Sequence, residues 1–157
     1  MRSLGPYDGA LAAAIRRMKY HGVSDIGREL GRWFEPLIEP GALLAPVPLH
    51  SRRERNRGFN QAGVLARAAA ARRATVWQGL IRVRETQSQV GLSGAERRRN
   101  LTGAFAARGS APAEVILIDD VTTTGSTLDE CARTLREAGA RSVRGLVMAH
   151  ARPGWDR

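Results

Sequence analysis

The chain has 157 residues, 43% hydrophobic and 25% charged, a length and balance typical of one globular domain. It has no run of about 18 apolar residues to span a bilayer, and its start, MRSLGPYDG, lacks the apolar stretch of a secretory signal. Its single cysteine, Cys131, can form neither an internal disulfide nor a multi-thiolate zinc site. We therefore expect a cytoplasmic protein with no membrane insertion and no zinc.

The charge of the chain is strongly positive, with 25 basic and 15 acidic residues and a formal net charge of +10. Every basic residue except Lys19 is an arginine, the side chain best suited to bidentate contact with phosphate. A polyanionic partner would fit this balance. Arginine in place of lysine, beside abundant alanine, is equally typical of a codon bias, so charge alone leaves both interpretations open.

Two helices and a strand are predicted in the first third of the chain. Apolar residues recur at helical spacing between Tyr7 and Tyr20. A second helix is expected from about Ser24 to Ile38, closed by Pro40 and Gly41. The short apolar run from Ala42 to Val47 is predicted to be a buried strand, because it has strand length and stops at a proline.

The middle of the chain is predicted to alternate basic loops with short elements. The stretch SRRERNRG, residues 51–58, is expected to be a basic loop, and Asn60 to cap a third helix. Residues 80–83 and 103–106 are predicted to be short strands. Residues 85–102 are polar, rich in arginine and poor in apolar residues, a composition typical of a mobile loop.

The clearest unit comes last. Val115–Ile118 is a β-branched apolar run of strand length, and residues 119–126 connect it to a helix over about 127–138. Residues 142–149 supply a further strand. A strand, helix and strand of these lengths form a right-handed βαβ unit, so we predict an α/β fold with a mainly parallel, twisted sheet flanked by helices.

The segment VILIDDVTTTGST, residues 115–127, carries the predicted chemistry. Asp119 and Asp120 can accept hydrogen bonds from a vicinal diol, such as the hydroxyls of a ribose. The residues after them offer hydroxyls and backbone N–H groups, Gly125 permits a positive φ, and the next helix points its N-terminus at the loop, which favours a phosphate. A ribose 5-phosphate site is predicted. Metal-binding acids and a turn that merely caps a helix are the alternatives.

The same segment resembles the phosphoribosyl diphosphate (PRPP) binding motif of type I phosphoribosyltransferases. Three further segments resemble, in order, signatures of the ComF competence-protein family: IRRMKYHG (15–22), PVPLHSRRERNRGFNQA (46–62) and RETQSQVGLSGAERRRNLTGAF (84–105). The resemblance implies a type I phosphoribosyltransferase-like fold. It also implies one domain over residues 1–157, with a small helical hood over about 1–40 and a core over about 41–150.

The resemblance further implies a set of site residues. Asp119 and Asp120 would hold the ribose hydroxyls and be catalytic together with Arg97. When segment 86–100 closes over the site, Arg97, Arg98 or Arg99 would reach the leaving diphosphate. A solvent-exposed basic loop is the alternative for that segment. The 5-phosphate would lie on the residues after the acids, which are Val121, Thr122, Thr123, Thr124, Gly125, Ser126 and Thr127. The diphosphate would lie on the loop after the first core strand, whose residues are Val47, Pro48, Leu49, His50, Ser51, Arg52, Arg53 and Arg57.

Two residues and one module are not part of this predicted site. Lys19 belongs to the hood, where a surface lysine is favoured over a substrate contact. Cys131, on the helix after the phosphate loop, is predicted to be a small core residue rather than a nucleophile. The family commonly carries an N-terminal four-cysteine zinc module, and this sequence has none of those cysteines.

The activity that the resemblance implies is Mg²⁺-dependent transfer of ribose 5-phosphate from PRPP to an unidentified nitrogenous acceptor, with release of diphosphate. The Mg²⁺ would be held mainly by the substrate. The alternative is an accessory protein of DNA uptake that senses PRPP without turnover or binds single-stranded DNA. Aromatic residues, at 5% of the chain, are scarce for base stacking. Association into homo-oligomers is left open.

Overall fold

The computed structural model describes residues 1–20, 24–71, 73–86 and 94–152. Among these residues, five strands form one parallel sheet. Their ranges are β1 (Arg2–Pro6), β2 (Leu43–Pro46), β3 (Thr75–Val76), β6 (Glu114–Thr122) and β7 (Ser142–His150). The strand order is β1-β7-β6-β2-β3. A separate antiparallel pair is formed by β4 (Leu80–Arg82) and β5 (Phe105–Ala107). The predicted α/β fold with a mainly parallel sheet is confirmed.

Helices cover both faces of the sheet. They are α1 (Gly9–Tyr20), α2 (Ser24–Arg32), α3 (Ser51–Arg57), α4 (Gln61–Ala70), α5 (Gly94–Leu101) and α6 (Ser126–Glu137). Ile15, Leu30 and Leu65 bury α1, α2 and α4 in one hydrophobic cluster. Leu101 and Leu135 bury α5 and α6 in a second cluster on the opposite face. Within the described ranges, no helix is long and apolar enough to cross a membrane.

Strand β6 separates the two clusters. Val115 and Leu117 belong to the cluster with α6, whereas Ile116 and Ile118 belong to the cluster with α1 and α4. This division follows from the alternation of side chains along a strand. Because the strand continues beyond Ile118, the same alternation directs the next two side chains towards different faces of the sheet.

Helices α2 and α4 pack against each other with almost no space between their backbones. A methyl group added at Gly31 would come within 2.6 Å of both the carbonyl oxygen of Leu65 and the Cβ of Ala68. Gly27 is also tight, since an added methyl group would lie 2.9 Å from Met18 and Val64 side-chain atoms. The two glycines therefore set the distance between these helices.

Two segments predicted as loops contain helices. Residues 51–57 form α3, which begins where His50 Nδ1 accepts the Arg52 N–H at 3.4 Å and ends at Gly58, whose φ is +81°. Its sequence has no apolar residue, so no periodicity signalled a helix. Residues 94–101 form α5 because Leu101 is fully buried. Residues 87–93 of that predicted loop lie outside the described residues.

Strand boundaries also differ from the prediction. The connection expected to start at Asp119 starts after Thr122, because β6 remains paired with β7 up to the Thr122–His150 pair. Strands β1 and β3 were not predicted. Both lie at the edges of the sheet, where one-sided pairing does not require a long apolar run. The helix capped by Asn60 is confirmed, since its side chain accepts the Ala62 N–H at 3.1 Å.

Candidate functional site

A cleft opens at the carboxyl edge of the sheet because β6 is longer than β2. Strand β2 ends at Pro46, opposite Ile118, and the next N–H, that of Val47, donates to the Ile118 carbonyl at 2.9 Å. Strand β6 then continues to Thr122 beside β7. Chain order reverses at the boundary between β6 and β2, which makes it the switch point where such sheets bind ligands.

This cleft has a volume of about 210 Å³. Its walls bring together residues that the sequence predicted in two separate segments, namely Val47, Pro48, Leu49, Arg53, Arg57, Asp119, Asp120, Val121 and Thr127. Five lining residues were not predicted as ligand contacts, namely Lys19, Asn60, Gln61, Ala62 and Arg82. The predicted diol and diphosphate segments therefore share one cavity.

The other predicted residues lie around the cleft rather than in the part of its wall that the structure describes. His50 caps α3, Ser51 is exposed, and Arg52 points outward, with Nη1 3.8 Å from Glu85 Oε1. The members of the predicted phosphate turn in this group are Thr122, Thr123, Thr124, Gly125 and Ser126. Arg97 is part of α5, and its side chain lies outside the described residues.

Asp119 and Asp120 occupy the end of β6 and reach the cleft from its two sides. The Asp120 carboxylate forms an ion pair with Lys19, with 3.0 Å between Oδ1 and Nζ, and the two side chains are only 10% and 15% exposed. The Asp120 N–H donates to Asp119 Oδ1 at 2.8 Å. The prediction that Lys19 is a surface lysine is therefore wrong. The one sequence signal for it is that it is the single lysine among arginines.

The environment of Asp119 favours its protonated form. Burial raises the pKa of its carboxyl to about 7, and the neighbouring Asp120 carboxylate adds to the shift. The Asp120 N–H and the charges of Lys19 and Arg82 act in the opposite direction and are outweighed. At neutral pH this carboxyl is therefore poised between its two protonation states.

The raised pKa of Asp119 predicts a component of stability that depends on pH. In the unfolded chain this carboxyl titrates near 3.8, whereas the folded protein keeps the proton up to about pH 7. The folded state thus binds more protons between these values, so the component is full below about pH 4 and is lost as pH rises to 7. In urea unfolding, Asp119→Asn should gain stability relative to the parent protein over this range. A difference that stays constant with pH would contradict the prediction.

The turn between β6 and α6 has the geometry of an anion cradle. Gly125 precedes the first helical residue and has a φ of +81°, which only glycine adopts without strain. The hydroxyls of Thr124 and Ser126 are hydrogen-bonded to each other at 2.7 Å. Because the N–H groups of a helix's first turn have no partner within the helix, the N-terminus of α6 presents donors beside Thr127, which lines the cleft.

Helix α3 supplies the basic wall of the cleft. Arg53 and Arg57 are four residues apart, so they share one helical face, and both line the cleft. Arg57 Nη1 donates to Gln61 Oε1 at 3.2 Å, and its guanidinium lies 5.6 Å from the centre of the Tyr20 ring. Arg55, on the opposite face, is exposed. Helical periodicity thus selects two of the arginines.

Arg82 adds a third guanidinium from the β4–β5 pair. It donates to the hydroxyl of Thr86 and lies 5.3 Å above the Phe105 ring. Burial lowers its pKa, and the charge of Arg53 contributes. Arg53 Nη2 donates to the Thr86 carbonyl at 3.4 Å. Thr86 therefore holds two cationic side chains at the rim of the cleft.

Two buried N–H donors of the cleft lack an acceptor. Gln61 is only 2% exposed, and neither its Nε2 nor the Nε of Arg82 has a hydrogen-bond partner among the described residues. Buried polar atoms in folded proteins are almost always paired. Both residues line the cleft, so a ligand with acceptor oxygens would satisfy them.

The donor set of the cleft fits a magnesium ion that arrives with its substrate. In the described part of the chain, no three histidine, cysteine or acidic side chains are grouped to hold a metal. Mg²⁺ in protein sites commonly keeps several waters and binds one or two carboxylates together with substrate phosphates. A cleft whose described residues form no such group is therefore compatible with Mg²⁺ that is held mainly by the substrate's phosphates and by water.

Comparison with curated proteins finds relatives along nearly the whole chain. Competence protein F of Haemophilus influenzae is 32% identical over 94% of this chain and 71% of that protein. The DNA utilization protein YhgH of Salmonella typhi is 36% identical over 90% of this chain and 67% of that protein. Competence protein ComFC of Streptococcus pneumoniae is 29% identical, with 91% and 64% covered. No family model matches the chain.

Solved structures share the fold at low sequence identity. A structure described as the allosteric regulatory enzyme of purine biosynthesis has a TM-score of 0.50 and 22% identity over 77% of this chain and 25% of that one. A hypoxanthine phosphoribosyltransferase of Staphylococcus aureus has a TM-score of 0.47 and 14% identity over 83% of this chain and 64% of that one. These likenesses concern the fold alone.

Proposed function

The chain belongs to the family of competence protein F and the DNA utilization protein YhgH, and we propose that, as a member, it binds PRPP in the cleft at the end of β6. The proposal rests on one observation. Asp119 and Asp120, the first turn of α6 and the arginines of α3 converge on the same cavity. A carboxylate pair beside a helix N-terminus matches a diol beside a phosphate.

The charge of the cleft supports an anionic ligand. Four basic side chains line it against two acids, and one of the acids is already paired with Lys19. Arg53, Arg57 and Arg82 remain to meet a ligand's negative charge. Arginine is the side chain that binds phosphate oxygens in pairs, so a diphosphate attached to the sugar fits this wall.

In this proposal each group of residues has a separate task. The acids at the end of β6 orient the ribose hydroxyls, the N-terminus of α6 holds the 5-phosphate, and Arg53 and Arg57 hold the diphosphate. The unpartnered Nε2 of Gln61 donates to a ligand oxygen. Mg²⁺, bound with PRPP, supplies charge neutralisation at the diphosphate. The biological setting that we propose is DNA uptake or use, after the names of the relatives.

Transfer of the phosphoribosyl group is a second candidate function. It is favoured by the two buried carboxylates at the ribose, since positive charge develops on the sugar when diphosphate leaves. In that reaction the C1–N bond to a nitrogenous acceptor forms while the C1–O bond to diphosphate breaks. The diphosphate carries away the electron pair of the broken bond, and its charge is met by the arginines of the cleft.

A thermal-shift titration tests the binding proposal. PRPP with Mg²⁺ at 100 times its dissociation constant should stabilise the folded chain by about 2.7 kcal/mol. Ribose 5-phosphate should stabilise it less, because it lacks the diphosphate that the arginines would bind. No stabilisation by Mg²⁺ and PRPP would contradict the proposal. Measuring diphosphate release across a panel of nucleobases then separates transfer from binding without turnover.

Single-stranded nucleic acid is the alternative partner. The names of the relatives refer to competence and DNA utilization, and the net charge of +10 fits a polyanion. Binding through backbone phosphates weakens steeply as salt concentration rises. Binding of PRPP in the cleft should instead depend mainly on Mg²⁺. Comparing the salt dependence of the two ligands on the same protein therefore decides which of them occupies a specific site.

A further inference from the structure

Lys19 is placed unlike the other basic residues of its helix. Arg16 and Arg17 on α1 are exposed, whereas the Lys19 side chain is only 15% exposed and its Nζ lies 3.0 Å from Asp120 Oδ1. The Asp120 side chain is 10% exposed. The pair joins the last turn of α1 to the end of β6 inside the cleft.

The ion pair with Asp120 keeps the Lys19 ammonium charged although it is largely removed from water. Burial by itself would lower the pKa of the Lys19 ammonium, but the charge and hydrogen bond of Asp120, with help from Asp119, leave that pKa raised. The other charged groups facing the pair are Arg57 on α3 and, across Asp119, Arg82 on β4. Removing the ammonium would leave two adjacent carboxyls in a buried site.

We propose that Lys19 is a positioning residue for the ribose ligand, acting through Asp120. Its ammonium binds one oxygen of that carboxylate and so fixes the side chain, while the second oxygen remains for a ligand hydroxyl. It also cancels one negative charge that would otherwise repel the ligand's phosphates. The inference rests on the proposed function and adds to it a residue of the N-terminal helix.

An inhibitory role for Lys19 predicts the opposite change in affinity for PRPP. If the ammonium competed with the ligand for Asp120, it would have to leave before the sugar could bind, and removing it would tighten binding. The sign of the change in affinity therefore separates a positioning residue from an inhibitory contact.

The test compares Lys19→Met with Lys19→Arg and with Arg17→Met, a matched control at an exposed position of the same helix. Affinity for PRPP with Mg²⁺ is measured by calorimetry between pH 6 and 9. We expect Lys19→Met to bind at least tenfold more weakly at pH 7, and to need a pH at least one unit higher for half-maximal affinity, because the two carboxyls then share a proton more tightly. Lys19→Arg should restore most of the affinity, and Arg17→Met should behave as the parent protein.

Three results would overturn the inference. These are tighter binding by Lys19→Met, weaker binding with an unchanged pH midpoint, and no recovery in Lys19→Arg although its melting temperature equals that of the parent protein. A second measurement needs no ligand. Carbon-13 titration of the aspartate carboxyls should show the titration of Asp119 moved to higher pH in Lys19→Met, because the charge of Lys19 lowers the pKa of that carboxyl. Failure of the parent protein to bind PRPP would refute the proposed function, whereas an unmoved titration would refute the role of Lys19.

Discussion

Replacing Asp119 and Asp120 together by asparagine should weaken the binding of PRPP with Mg²⁺ more than 100-fold. Each carboxylate would accept a hydrogen bond from a ribose hydroxyl, and such bonds to a charged group contribute about 1.5–3 kcal/mol each. Asparagine keeps the shape of the side chain but loses the charge. The measurement is the ligand-dependent rise in melting temperature, which should vanish in the double variant.

This experiment needs a compensating substitution, because Asp120 is paired with Lys19, and it also needs a separate control variant. Removing one member of a buried ion pair costs about 3–5 kcal/mol, so Lys19→Met is added to the double variant to preserve the fold. Asp25→Asn serves as the matched control, since Asp25 is an exposed acid on α2 that is not part of the cleft lining and should leave binding unchanged. Undiminished affinity in a folded variant without Asp119 and Asp120 would refute the placement of the ligand.

Replacing Gly31 by alanine should destabilise the fold by about 1 kcal/mol. The new methyl group would lie 2.6 Å from the Leu65 carbonyl oxygen, and a backbone atom inside a helix cannot move aside cheaply. Overpacking of this kind costs about 1–3 kcal/mol. The higher helix propensity of alanine, about 1 kcal/mol, offsets only part of it. Urea unfolding followed by circular dichroism measures the change.

Gly63 on α4 provides the matched control for Gly31. A methyl group there would have as its nearest neighbour the end of the flexible Arg67 side chain, at 3.4 Å. Gly63→Ala should therefore leave stability unchanged or raise it through helix propensity. Equal effects of the two substitutions would show that the distance between α2 and α4 does not depend on Gly31.

The part of the site that was predictable from sequence lies in continuous segments. Residues 115–127 contain a strand, two acids, a turn and a helix start, and each is a local property of the chain. The structure places this segment as predicted, apart from four further residues of strand. Its proposed role in binding PRPP stays a prediction, as do the domain division, the cytoplasmic location and the oligomeric state.

The part that was not predictable depends on contacts between distant segments. Lys19 meets Asp120 across 100 positions of sequence. Helical spacing puts it on the same face of α1 as the buried Ala12 and Ile15, but that spacing does not reveal that Asp120 lies opposite. Arg82 and Gln61 reach the cleft only because β4 and α4 pack beside it. Arg52, Arg53 and Arg57 were all named from the family resemblance. That only Arg53 and Arg57 of these line the cleft depends on residues 51–57 being a helix, and a stretch without apolar residues carries no periodicity to reveal one.

The alternation of side chains along β6 has a mechanical consequence. Asp119 extends towards the layer that contains α6, and Asp120 towards the layer that contains α1. A sugar bound by both carboxyl groups would connect the two layers at the carboxyl edge of the sheet. Helices α1 and α6, which pack on opposite faces of the sheet, would then be linked through the ligand whenever the cleft is occupied.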